Sequence, residues 1–248
     1  MPDNTEVHVT SGDLVTLVRR GIAGLADPSK APEMQTYMKS AMSYRGVTSQ
    51  PLSRFCRELF GRHVLADEEA WQSTVLALWD GADFREERYA ATALARHRLY
   101  REHQQPHTLG LYRHLVVTGA WWDHVDEVST HLVRGLLEAF PDAVTPELQA
   151  WATDDDLWVR RAAIICQVGR RADLDRALLV AAIDANLDGS MRSTPAESRF
   201  GREFFIRKAI GWALRDHARA DPSWVRQFVA ERTERLSGLS RREALKHL

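Results

Sequence analysis

The segment Trp121-Trp122-Asp123-His124-Val125-Asp126 sets a carboxylate four residues beyond an indole, and on a helix that spacing puts both on one face. A carboxylate beside an aromatic plate stabilises positive charge, the first by Coulomb attraction and the second through its π face. The same pair also serves ordinary packing with a solvated acid, while Asp123 and His124 fall on other faces as structural or rim residues. In Asp154-Asp155-Asp156-Leu157-Trp158-Val159-Arg160-Arg161-Ala162-Ala163-Ile164 an acidic helix start suits the helix dipole. Trp158 and Arg161 face together there, and Arg160 points about 100° away. One arginine is thus expected to reach a phosphate or orient the Asp126 carboxylate, with the other in solvent; an inter-repeat salt bridge is the alternative. The stretch Phe204-Phe205-Ile206-Arg207-Lys208-Ala209-Ile210-Gly211-Trp212-Ala213-Leu214-Arg215 carries Lys208, Trp212 and Arg215 on one stripe, cations interleaved with an aromatic as a nucleic-acid surface requires. Gly211 inside a helix signals close packing or close approach of a ligand. Tyr37 to Val47 reads as a helix end and a glycine turn, with Lys39 and Arg45 able to touch a phosphate.

The elements that position these groups are helices. Leu14, Leu17, Val18, Ile22 and Leu25 recur at spacings of three and four, as do Leu132, Leu136, Leu137 and Phe140. Strand alternation is nearly absent. Asp27-Pro28, Gln105-Pro106, Phe140-Pro141, Thr145-Pro146 and Asp221-Pro222 are read as breaks between helices. Segments around Trp79, Trp121, Trp158 and Trp212 are expected to begin comparable helical units, 42, 37 and 54 residues apart, near the HEAT-repeat range apart from the last. A Gly/Ser/Thr/Pro-containing stretch at 186–198, with Arg192 and Arg199 at its far side, accounts for the long interval as a loop insertion. The expected fold is all-α, an α-solenoid of HEAT-like repeats forming one domain over residues 1–248, with a concave surface suited to a rod-like ligand.

Composition narrows the field. The chain has 248 residues, a net charge of −1 and 44% hydrophobic residues. No run reaches the roughly 18 apolar residues of a membrane span, and the N-terminus lacks a signal-peptide pattern, so a cytoplasmic protein without membrane contact is expected. Cys56 and Cys166 stand apart from each other and from metal-ligand spacings, which points to buried free thiols, with no metal and no cofactor. A net charge near zero is low for a phosphate binder. Its distribution is uneven, however: from Arg199 onward twelve basic residues face six acidic ones, which gives that part a cationic surface. No Gly-rich phosphate loop, G-x-S-x-G or H-E-x-x-H is present.

Five fragments in one order carry a resemblance over nearly the whole chain: Met38-Lys39 with Gly46-Val47; Trp121-Trp122-Asp123-x-Val125-Asp126; Trp158-x-x-Arg161-Ala162-Ala163-Ile164; the Phe204 to Arg215 stretch; and Leu239-Ser240-Arg241-Arg242-Glu243-Ala244. Together they resemble the AlkD-type DNA alkylation repair glycosylases, built from HEAT-like repeats. The resemblance implies that Asp126 is the catalytic aspartate and that Trp122 and Trp212 contact the backbone of the damaged nucleotide. It further implies that Arg161 lies beside them and that Tyr37 lines the same cleft. Lys39, Arg45, Lys208, Arg215, Arg241 and Arg242 complete the expected DNA contacts. The implied reaction is hydrolysis of the N-glycosidic bond of cationic N3- or N7-alkylpurines in duplex DNA by a monomer, without base flipping. No lysine stands as an evident amine nucleophile, so a monofunctional enzyme is expected. A glycosylase for bulky natural-product adducts and a non-catalytic HEAT-like scaffold remain as alternatives.

Overall fold

The computed structural model describes residues 7–187 and 197–248; the core of the 186–198 insertion lies outside them. Two compact units are present, Met1–Gln104 and Gln105–Leu248. The first contains α1 (Ser11–Gly24), α2 (Ala31–Met38), α3 (Ser49–Phe60), α4 (Glu68–Asp80) and α5 (Arg85–Ala95). The two-residue strands β1 (Val7–His8) and β2 (His63–Val64) pair in parallel, Val7 opposite His63. The second contains α6 (Leu109–Gly119), α7 (Trp122–Glu127), α8 (Arg134–Ala139), α9 (Pro141–Trp151), α10 (Leu157–Ile165), α11 (Arg176–Asp184), α12 (Phe204–His217), α13 (Pro222–Glu231) and α14 (Gly238–Ala244). The chain is therefore all-α. No helix among the described residues is long and apolar enough to cross a membrane.

Local sequence explains the helix starts. Thr10 and Asp13 form a reciprocal capping box at α1, whose Leu14, Val18 and Ile22 make the buried stripe. Asp67, Asp156, Asp175 and Asp221 each cap the following helix by accepting from its first free amides. Pro146 breaks nothing. It sits inside α9, where the one amide it lacks would have faced the carbonyl of Asp142, an exposed residue near the helix start. The tryptophan marks also differ from expectation. Trp121 caps α7 and Trp158 stands in the first turn of α10, but Trp79 lies at the end of α4 and Trp212 well inside α12, so the four do not mark equivalent helix starts.

In the first unit, three consecutive charged residues at the start of α5 are buried. Glu86 accepts from the backbone amides of Arg45 (3.0 and 3.1 Å) and Val47 (3.1 Å), which fixes the turn after α2. Gly46 holds φ +81° in that turn, and a Cβ there would lie 2.0 Å from the Asp27 carbonyl oxygen, so only glycine fits. In the second unit consecutive helices pack on one another, α8 on α9, α9 on α10, α10 on α11 and α12 on α13, the nearest-neighbour packing of stacked helical pairs. Helix α10 is central, touching α6, α7 and α12 as well.

A wide helical turn of the π type, Val128–Val133, joins α7 to α8 in one run. Backbone bonds there reach one residue further than in an α-helix, which frees carbonyls of the preceding turn. Ser129, Thr130 and His131 compensate by bonding the carbonyls of Val125, Asp126 and Glu127 at 2.5, 2.7 and 3.2 Å. Both cysteines are buried free thiols, each pushed up to about 12 by desolvation.

Gly211 is explained by packing. A Cβ there would meet Glu243 Cβ at 2.5 Å and the Ser240 carbonyl oxygen at 3.1 Å, so α12 and α14 approach through it. Ser240 seals the contact by donating to the Arg207 carbonyl at 2.9 Å. Gly211→Ala gains helix propensity of nearly 1 kcal/mol but forces α14 outward, and a net loss of about 1–2 kcal/mol is expected. Urea unfolding checks this, and an unchanged or raised midpoint would show that the two helices part freely.

Candidate active site

Arg161 and Asp126 are brought together from α10 and α7. Arg161 Nε donates to Asp126 Oδ1 and Nη2 to Oδ2, both at 2.8 Å, a two-pronged pair. The remaining guanidinium nitrogen Nη1 donates to the Phe205 carbonyl at 2.7 Å, at the start of α12. The Arg161 side chain is 6% exposed and that of Asp126 is 19% exposed, so the arginine is sealed and the carboxylate keeps one open edge. Burial pushes the Asp126 carboxyl above its ordinary range. The Arg161 hydrogen bonds and charge oppose that push, and Asp123 adds to it.

The floor beneath the pair is aromatic. Phe205 packs on Trp158 at 4.8 Å and on Trp121 at 5.3 Å between ring centroids, and the Arg161 guanidinium lies 5.8 Å from the Phe205 ring. Trp158 and Arg161, three residues apart, thus meet the same phenylalanine. Trp122 opens α7 and shares the helix with Asp126, while Trp212 lies in α12; both are half-buried. Because α10 packs against both α7 and α12, the elements bearing Asp126, Arg161 and Trp212 are contiguous.

Arg160 departs from expectation. Rather than standing in solvent it is 1% exposed, bonding the carbonyls of Thr153 (2.9 Å) and Asp154 and the Asn186 side-chain oxygen (3.3 Å), over the Phe200 ring at 4.1 Å. It ties the turn before α10 to the end of α11. His124 is likewise buried, in keeping with a structural role.

Lys208 and Arg215 share the Glu243 carboxylate. Lys208 Nζ lies 3.0 Å from Oε1, and Arg215 Nη1 pairs with Oε2. Arg241 is half-buried and Arg242 exposed on α14. Tyr37, Lys39 and Arg45 belong to the first unit: Tyr37 is 74% exposed at the end of α2, Lys39 caps that helix with φ +49°, and Arg45 stacks on Phe84 at 3.8 Å. Sequence reasoning assigned no role to Phe205, Glu86 or Glu243. Phe205 was signalled only by its place at a helix start among aromatics, and Glu86 by an acidic first turn.

The second unit thus sets a buried guanidinium against a largely buried carboxylate over an aromatic floor. The DNA alkylation repair enzyme family model matches residues 18–248, and the chain belongs to that family. A solved structure from Enterococcus faecalis, a predicted DNA alkylation repair enzyme, is similar at 25% identity and a TM-score of 0.71, over 90% of this chain and 96% of the other. No curated protein matches the chain.

Proposed function

We propose that the protein is a monofunctional DNA glycosylase that hydrolyses the N-glycosidic bond of cationic N3- or N7-alkylpurines in duplex DNA. The observation that carries this reading is the Asp126–Arg161 pair, a carboxylate held by a two-pronged guanidinium within a largely buried setting. An alkylated purine already bears positive charge and departs without a general acid, taking the bonding electron pair and becoming neutral. The sugar left behind develops oxocarbenium character, and a nearby anion stabilises it. Water then forms the new bond at C1′ and gives up its proton to the Asp126 carboxylate, which returns it to solvent.

Asp126 suits both tasks. Each of its oxygens accepts from Arg161 through one lone pair and retains another for water. Trp122 and Trp212 would hold the deoxyribose through their faces, with Arg161 as the positioning residue. Tyr37, Lys39, Arg45, Lys208, Arg215, Arg241 and Arg242 are the proposed contacts to the duplex. No base-enclosing pocket is required, since the chemistry falls on the sugar.

The test is base release from duplexes carrying one N7-methylguanine or one bulky N3-alkyladenine, with free base and abasic sites both quantified. Release without strand scission supports the reading, and the faster lesion defines the substrate size. Binding with no release of either base would turn the assignment to a non-catalytic helical scaffold.

A further inference from the structure

The two cations that sequence reasoning assigns to DNA phosphates are occupied from within. Lys208 and Arg215 stand seven residues apart on α12, and the Glu243 carboxylate lies between them with one oxygen on each. The side chains are 37%, 24% and 19% exposed in that order, so water, and anything replacing water, reaches the group. The helix that carries the carboxylate is packed closely on α12. Gly211 lies between the two cations in sequence, its missing Cβ lets the Glu243 Cβ approach, and Ser240 bonds the Arg207 carbonyl beside it. Paired cations also hold the Glu243 carboxyl below its ordinary range, so it stays charged wherever the protein would meet DNA.

We propose that Glu243 is a fixed internal counter-charge that competes with a DNA phosphodiester for Lys208 and Arg215, and so keeps affinity for undamaged duplex low. This rests on the DNA-binding reading above. The three groups sum to one positive charge, enough to attract a single phosphate weakly. Without the carboxylate they would carry two and engage the backbone more strongly. Such a brake matters to a protein that must pass over undamaged DNA, because non-specific affinity derives from phosphate neutralisation.

The experiment is duplex binding by Glu243→Gln across a salt series, using undamaged DNA. Glutamine preserves shape and leaves the helix contact intact. Binding on the order of three- to tenfold tighter at low salt is expected, with the slope of log affinity against log salt steeper by up to about one. In a Lys208→Met, Arg215→Met background the same substitution is expected to change nothing, the signature of a coupled group. Unchanged or weaker binding by Glu243→Gln, with wild type binding normally, would overturn the competition and make Glu243 a support for the two cations instead. No salt-dependent binding by wild type or variant would remove the DNA reading itself, and the inference with it.

Discussion

Asp126→Asn is expected to slow single-turnover base release at least about a hundredfold, roughly 2.7 kcal/mol of barrier, while leaving duplex affinity within a few-fold of wild type. The side chain keeps its shape, and its oxygen still accepts from one prong of the Arg161 fork. Its amide, however, turns a donor toward the other prong, and the charge that would face the oxocarbenium ion is gone. The proposed phosphate contacts lie on other residues, so binding should survive. Equal losses in affinity and in rate would indicate a misfolded surface rather than a missing stabiliser, and full activity would remove Asp126 from the chemistry.

Arg161→Met has the second large effect, on stability and on pH dependence together. The substitution removes two bonds to Asp126 and one to the Phe205 carbonyl, and it leaves a carboxylate buried without its cation. Breaking a buried pair in this way costs about 3 kcal/mol or more near neutral pH. The sign with pH follows from burial, which already raises Asp126 above its unfolded 3.8 and goes unopposed once the guanidinium is lost. A carboxyl with a raised folded pKa contributes stability that is complete below the unfolded value and is lost as pH rises through the folded one. The deficit of the variant against wild type is therefore expected to shrink between pH 7.5 and pH 5 in denaturant unfolding. Its residual activity, which needs ionised Asp126, should fade at a higher pH than that of wild type. An identical stability deficit at both pH values would assign the loss to packing alone.

How far the sequence foretold this site depends on whether the interacting groups lie within a few turns of each other. The i, i+4 step from Trp122 to Asp126 and the i, i+3 step from Trp158 to Arg161 were readable because helix geometry is periodic. That Asp126 would meet Arg161 was only one of the open choices, since 35 residues separate them. Arg160 was misplaced for a similar reason. Its partners include two backbone carbonyls, an asparagine and a phenylalanine ring, and no charge pattern announces an arginine bonded to backbone and amide oxygens. The pairing of Lys208 and Arg215 with Glu243 was hidden by distance along the chain and betrayed only by Gly211, whose missing side chain marked a close approach without naming what approached. Pro146 looked like a break because residue type was weighed without its exposure.

The wide turn after Asp126 reconciles two rotational phases. Every residue added to an α-helix swings all that follows by about 100°, so one unbroken α-helix from Trp122 to Ala139 could aim its first part at Arg161 or seat Leu136 and Leu137 in the core, but not both with this number of residues. The turn at Val128–Val133 takes up the surplus residue, and Ser129, Thr130 and His131 hold it there through the carbonyls of Val125, Asp126 and Glu127. The direction in which the carboxylate faces is thereby uncoupled from the seating of the leucines beyond it, and three polar side chains hold the turn between the two.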